Sequence, residues 1–258
     1  MIRKVIESDI PEILELYKVV FELNMTKKEY DYWFYNSIDE EYGSLVFIDE
    51  NKIVGHNAII KNEYSYKGKT FLVGLSAGGM VLPEKSGIFY KILNTAFSDF
   101  NGDLIIAFPN ENSIGFFKRI FNFESQANTY FTLENSITSN QSITSYLERA
   151  EKFIEWRINQ NPIHNYKTLE YDDGQIIYKI YGNNELDIIY ASEFGKEFIE
   201  FVNTKSKEFD KINIVHWKQD YMYDIGFVKA NNYNEFVYKD LTESGVDFEF
   251  QMIDSDVF

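Results

Sequence analysis

Cysteine is absent from the 258 residues. That excludes disulfides, thiolate nucleophiles and cysteine-ligated zinc, and it suits a reducing cytoplasm. Long apolar runs are missing too. No stretch reaches the roughly 18–20 apolar residues of a membrane span. The start, "MIRKVIESDIPEIL", has no apolar run of the secretory kind. A cytoplasmic protein without a membrane partner is expected. Positive charge is scarce: 25 Lys and Arg stand against 41 Asp and Glu, a net charge of −16. Such a chain repels nucleic acid unless a local basic patch overrides the total, and no basic run is present. Arginine occurs four times, histidine three times and proline four times.

What is abundant is apolar and aromatic. Hydrophobic residues make up 45%, with 19 Tyr and 23 Phe, so disorder is not expected. The length suits one large domain or two ordinary ones. The aromatic surplus is compatible with a homodimer.

One stretch, "EWRINQNPIHNY" (155–166), concentrates rare residues and echoes an earlier one. With Trp33 set against Trp156, Asp49 falls on Asp172 and Ile53 on Ile176, without a gap. Each copy runs from an aromatic helical start through a polar break to a strand, an acidic turn and a second strand. Downstream, "GDLIIAFPNENS" and "DKINIVHWKQDY" form a second pair. Between the copies, residues 134–145 are polar and read as a linker. The expected division is 1–138 and 139–258.

In the first copy Asp9 and Glu12 have the spacing of a capping box before a helix over 10–22. Strands follow at 44–49, 52–61 and 69–82, joined by short hairpin turns. "PEKSGIFYKILNTAFSDF" opens on a turn and becomes an apolar-periodic helix. "DLIIAF" reads as a buried strand, "NENSIGFFKRI" as a helix and "ANTYFTL" as a last strand.

"MVLPEKSGIFYKIL", "KIVGHNAI" and "LIIAFPNENSIGFFKRIFNF" resemble the coenzyme A site, third strand, and fifth strand with following helix of the GNAT N-acyltransferase superfamily. The resemblance covers residues 1–133. The WR…P…Y stretch extends it toward tandem acyltransferases that modify nucleotide-linked sugars. It implies an α+β fold with two GNAT-like halves, each a mostly antiparallel mixed sheet flanked by helices, the second degenerate. It departs from the family in two places. The turn is about two residues shorter, with Ser86 where Arg is usual. Phe116 and Phe117 stand where a proton-donating Tyr is usual.

The resemblance implies acetyl-CoA or another short acyl-CoA as co-substrate, and no metal. Its pyrophosphate would sit on the amides of Lys85, Ser86, Gly87, Ile88 and Phe89, where a helix start favours anions. Its pantetheine arm would pair with Gly79, Met80, Val81 and Leu82 as an added strand. The two glycines of "SAGGMV" suit a bulge there. Asn110 and Asn112 would hydrogen-bond the arm or its thiol, or cap a helix. His56 is the candidate base for the acceptor amine and Asn110 a second catalytic candidate. Glu84 is less well placed. The second copy lacks a "VLPEKSG" equivalent and is expected to wall the site and receive the acceptor. Trp33, Tyr35, Trp156, Arg157 and His164 are the candidates there, with Tyr166 beside them. Both tryptophans also suit plain packing against a sheet.

The expected activity is acyl transfer to a primary amine, on a nucleotide-linked amino sugar. A peptide or amino-acid amine is the alternative acceptor. A non-catalytic ligand-binding or assembly module is the alternative role.

Overall fold

The computed structural model describes all residues outside 36–42, 127–128, 135–136, 138–142, 145–146, 173, 183, 217, 233–235, 247 and 256–258. The expected linker lies largely outside the described residues.

A short strand β1 (Ile2–Lys4) precedes helix α1 (Ile10–Phe21). Ile10, Ile13 and Leu16 recur at helical spacing and are buried, so one stripe of α1 faces the core. Asp9 does not cap that helix with its side chain. Its carboxylate takes two hydrogen bonds from Arg3 and one from the Ile6 amide. Glu12 accepts from the Ile53 amide instead. A helical turn α2 (Lys27–Tyr30) follows, capped reciprocally by Thr26 and Glu29.

Strands β2 (Ser44–Asp49), β3 (Lys52–Tyr66) and β4 (Lys69–Val81) form two hairpins. Glu50 and Asn51 join the first, Lys67 and Gly68 the second, all four with positive φ. Two such residues match the twist of the flanking strands. β3 is longer than its apolar pattern foretold. A 3-10 turn (Pro83–Ile88) then leads into α3 (Phe89–Asp99). Strand β5 (Leu104–Ala107), helix α4 (Ile114–Ile120) and strands β6 (Glu124–Gln126) and β7 (Thr129–Leu133) complete this half of the sequence.

The second half repeats the order. After β8 (Ile143–Thr144) and β9 (Leu147–Arg149) come α5 (Glu151–Asn159), β10 (Lys167–Tyr171), β11 (Gly174–Tyr181) and β12 (Glu185–Ala191). The short β13 (Glu193–Phe194), α6 (Lys196–Lys205), β14 (Lys211–His216), α7 (Gln219–Asp224), β15 (Val228–Asn232) and β16 (Phe236–Asp240) close it.

Sheet membership does not follow the expected division at 138/139. One sheet has the order β1-β2-β3-β4-β5-β16-β6, with β9 on the far end of β3. The other has the order β10-β11-β12-β14-β7-β15. Thus β7 of the first half lies between β14 and β15, and β16 of the second lies between β5 and β6. The halves exchange their last long strand. Each exchanged strand is paired on both edges, and Phe131 and Phe236 on them are fully buried.

The fold is α+β, two mixed sheets flanked by helices. Their cores are joined. One apolar cluster runs from Ile10 and Ile13 through Trp33 and Trp156 to Phe236, Phe250 and Ile253. Residues 248–255 cross between the sheets. There Asp254 receives Arg149 through two nitrogens and Tyr64 through its hydroxyl, all buried.

Candidate active site

β4 is the strand that makes the site. Its register against β3 shifts between His56↔Met80 and Ala58↔Ala77. Two steps along β3 oppose three along β4, which is a bulge at Gly78 and Gly79. Gly78 sits at φ +59, a conformation that side chains resist. On its other edge β4 pairs in parallel with β5 from Val73↔Leu104 to Ser76↔Ala107, and no further. β5 then leaves at Phe108 and Pro109. The two strands part there and leave a backbone edge open.

The split is a groove of about 160 Å³. Its walls include Asn57, Ser76, Gly78, Gly79, Phe89 and Asn110, with Phe21 reaching it from the end of α1. Whether a pantetheine arm fits is tested by the glycine. A Cβ on Gly79 would stand 3.1 Å from Asn57 Oδ1 and 3.4 Å from Phe89. Bare backbone therefore forms the floor, as a thin amide-bearing arm requires.

Two of the larger hollows suit such a ligand less. One of about 340 Å³, between β2, β3 and α3, shares Asn57 with the groove but has no opened strand edge. One of about 690 Å³, between α5 and β10–β12, is lined by Glu148, Glu151, Glu155, Glu170 and Glu193. Five carboxylates repel a polyphosphate.

The corner at 83–88, expected as a turn with the free amides of a helix start at 85–89, has two of those amides already bonded. It is a 3-10 turn, in which the Lys85 amide donates to the Leu82 carbonyl and the Phe89 amide to that of Ser86. Ser86 and Gly87 are exposed, and a Cβ on Gly87 would meet nothing within 4 Å. Lys85 reaches back to Asp49 at 2.6 Å. Its charge is thus already countered by a carboxylate, and the Asp49 carboxyl is held below its usual range by that lysine. Met80, Val81 and Leu82 stay joined to β3 through Met80↔His56, Val81↔Gly55 and the Leu82 amide on Val54. Ile88 and Phe89 are half-buried.

Asn110 lines the groove and also fixes the turn that leads into α4. Its Oδ1 accepts from the amides of Asn112 and Ser113 and from the Ser113 hydroxyl. Asn112 itself is exposed beside the groove rather than lining it. Phe117 lines the groove and Phe116 packs edge-on to Phe89 at 5.7 Å. Neither can donate a proton. The hydroxyls among the lining residues are those of Ser76 and Ser113.

His56 does not face the groove as the expected base. It is fully buried on the other face of β3, and both ring nitrogens are engaged, with Gly78 O and Tyr30 Oη. Burial lowers its pKa to about 4. It has no nitrogen free for an incoming ammonium.

The tryptophans and Arg157 are interior as well. Trp33 and Trp156 meet edge to face at 5.5 Å, and Tyr32 stacks on Trp156 at 4.7 Å. The aligned tryptophans hold the halves to each other, not each to its own sheet. Arg157 is 1% exposed, lies over Trp33, and donates to the carbonyls of Ile253 and Ser255. Neither tryptophan offers a face to a base, and Arg157 offers no fork to a phosphate in solvent. Tyr35 is half-buried. His164 is half-buried beside Tyr166, its pKa lowered to about 4 by burial and by the charges of Lys179 and Arg157.

The second half has a counterpart of the split, and it is plugged. β12 pairs with β14 only as far as Ile188↔Ile214, and a register shift follows against β11. Three residues on, the Ala191 amide and carbonyl are both bound by the side chain of Gln251.

Sequence reasoning missed the groove-lining roles of Phe21, Asn57 and Phe108 and the roles of Tyr30 and Phe34 behind the bulge. Strand alternation carried one signal: if His56 faces one side of β3, Asn57 faces the other.

Residues 1–119 match the family model described as an acetyltransferase (GNAT) domain. No curated protein matches the chain. Among solved structures, a conserved protein of unknown function from Enterococcus faecalis V583, titled a probable N-acyltransferase, superposes with a TM-score of 0.70 at 11% identity. The match covers 93% of this chain and 72% of that one. A GCN5-related N-acetyltransferase from Kribbella flavida gives 0.71 at 12% identity, over 93% and 71%. One from Anabaena variabilis ATCC 29413 gives 0.68 at 13%, over 93% and 72%. At such identities the likeness is one of fold, and it spans both halves. Residues 1–119 carry the match to a GNAT acetyltransferase domain, and the remaining chain builds a second lobe laced into that part.

Proposed function

We propose that the chain transfers an acyl group from acyl-CoA to a primary amine, with the pantetheine arm in the split between β4 and β5. The observation that carries this is the open edge of β4 after Ser76, floored by Gly78 and Gly79. There the arm's amides add as a strand would. The neutral amine attacks the thioester carbon directly. The backbone of the bulge polarises the carbonyl and receives its developing negative charge. The thiol leaves as the bond collapses, and the proton shed by the nitrogen ends on sulfur or in water. A thiol of pKa about 8.5 is a tolerable leaving group near neutrality, so the missing tyrosine does not bar the reaction. The arm is held by Asn57, Phe89 and Asn110, and the pyrophosphate lies toward the exposed turn at Ser86 and Gly87.

The nucleotide-linked amino sugar is the finer part of the proposal. It rests on the WR…P…Y resemblance alone, since Trp33, Trp156 and Arg157 are enclosed. The test separates the two parts. Acetyl-CoA at about 100 times its dissociation constant should add about 2.7 kcal/mol of stability, read as a thermal shift. Thiol release is then followed with a nucleotide-linked amino sugar, a free amino sugar and a peptide amine. No shift with acetyl-CoA overturns the transfer reading. A shift with turnover only on the peptide amine overturns the sugar.

A further inference from the structure

The bulge of β4 is held from behind. His56 Nδ1 lies 2.8 Å from the Gly78 carbonyl oxygen. A carbonyl only accepts, so Nδ1 carries the proton. Nε2 is then an acceptor, and it takes the hydroxyl hydrogen of Tyr30 at 3.1 Å. The order hydroxyl, imidazole, carbonyl leaves one tautomer. Tyr30 ends α2, whose start is fixed by the Thr26 and Glu29 capping box. Phe34 stands edge-on to the imidazole at 5.5 Å. Its ring also comes within 2.9 Å of where a Gly78 Cβ would be.

The peptide geometry does the rest. In a trans peptide the C=O of one residue and the N–H of the next point opposite ways. The Gly78 carbonyl points back at His56. The Gly79 N–H therefore points away from His56, to the side on which Gly79 lines the groove. Two consecutive glycines outside the regular ladder are soft unless something pins them. The described residues that pin them are His56 by a hydrogen bond and Phe34 by contact.

We propose that His56 is a positioning residue: by donating to the Gly78 carbonyl it fixes the Gly78–Gly79 peptide and so the aim of the Gly79 N–H at the thioester carbonyl. This rests on the transfer reading above. It replaces a proton-transfer role with a geometric one: the Gly78 carbonyl sets the imidazole's tautomer, and the Tyr30 hydroxyl anchors the ring from its other nitrogen.

Steady-state kinetics with acetyl-CoA and an accepted amine test it. In H56L the donor is gone, and kcat should fall about 10- to 100-fold, part of the loss seen when an oxyanion donor is removed outright. KM for acetyl-CoA should stay within about twofold, because the aim of one N–H matters most when charge develops. In H56N the amide nitrogen stands where Nδ1 stood and should restore most of kcat. In Y30F the imidazole loses its second anchor while the carbonyl still fixes the tautomer, and kcat should fall several-fold with KM held.

A folded H56L with unchanged kcat, or one whose loss lies in KM, overturns the proposal. So does an H56N no better than H56L. If H56L does not fold, Y30F with unchanged kcat overturns it. One arm needs neither variant nor turnover. Nitrogen NMR of the wild-type imidazole should show the Nδ1–H tautomer with a coupling across the bond to the Gly78 carbonyl, and an Nε2–H tautomer overturns it. Wild-type thiol release reports on the transfer reading separately. Absence of turnover sinks that reading, while turnover with an unaffected H56L sinks only the positioning role.

Discussion

Gly79 is the residue at which the groove is most easily closed. Its missing side chain leaves 3.1 Å to Asn57 Oδ1 and 3.4 Å to Phe89. Gly79→Val should raise KM for acetyl-CoA at least about tenfold, since displacing either wall costs more than the ~1.4 kcal/mol of one decade. A normal KM would show that the arm runs elsewhere. The histidines give a pH prediction at the same scale. Burial lowers His56 to about 4 and His216 to about 3. Unfolded histidine takes its proton near 6.5, so between pH 6.5 and 4 the unfolded chain binds more protons and stability rises with pH. The contribution is complete above 6.5 and is lost as pH falls through the folded values. For His56 alone the span corresponds to ~3 kcal/mol. Urea midpoints should therefore drop clearly between pH 7.5 and pH 5, above most carboxylate titration; equal midpoints would refute buried neutral imidazoles. Residue identity made His56 look catalytic from the sequence. Only its neighbours show an imidazole with both nitrogens committed.

Among elements, the crossing segment 248–255 shows how strongly one buried pair can fasten a chain. Arg149 and Asp254 are both without exposed side-chain area, and the carboxylate also holds Tyr64 and the Gln251 amide. Asp254→Asn leaves the guanidinium buried without its counter-charge, and should cost about 3–5 kcal/mol. Replacing both partners by apolar residues should cost much less than the single change, and chemical denaturation of the three variants measures the difference. Equal losses would mean the pair contributes only packing. The hairpins β2–β3 and β3–β4 were readable beforehand, because "ENK" and "YKGK" between apolar runs are local turn chemistry. The helices α1 and α3 were readable from spacing. The 3-10 turn at 83–88 was not, because Pro and Gly mark a turn without choosing its type. Its hydrogen bonds decide how many amides remain for an anion.

For the whole molecule, the exchange of β7 and β16 is the dominant fact. A fragment ending at residue 138 has β7 but lacks the strand that belongs between β5 and β6. Expressed alone it should be unfolded or aggregated by circular dichroism and size exclusion. Co-expressed with 139–258 it should reassemble into one folded particle. A stable, monomeric 1–138 would contradict the exchanged sheets. What the sequence determined by itself was local: turns, helix faces, the repeat that aligns Trp33 with Trp156, and the glycine pair in a strand before a proline turn. These follow from periodicity and backbone preference over a few neighbouring residues. The tertiary structure decided what depends on distant partners. It chose the sheet each last strand joins, because strands of similar apolar pattern are interchangeable until neighbours differ. It turned Trp156 and Arg157 inward onto Trp33, and it set Gln251 against the second lobe's open edge. Burial and pairing of this kind are sums over residues far apart in the chain, and no short stretch of it carries them.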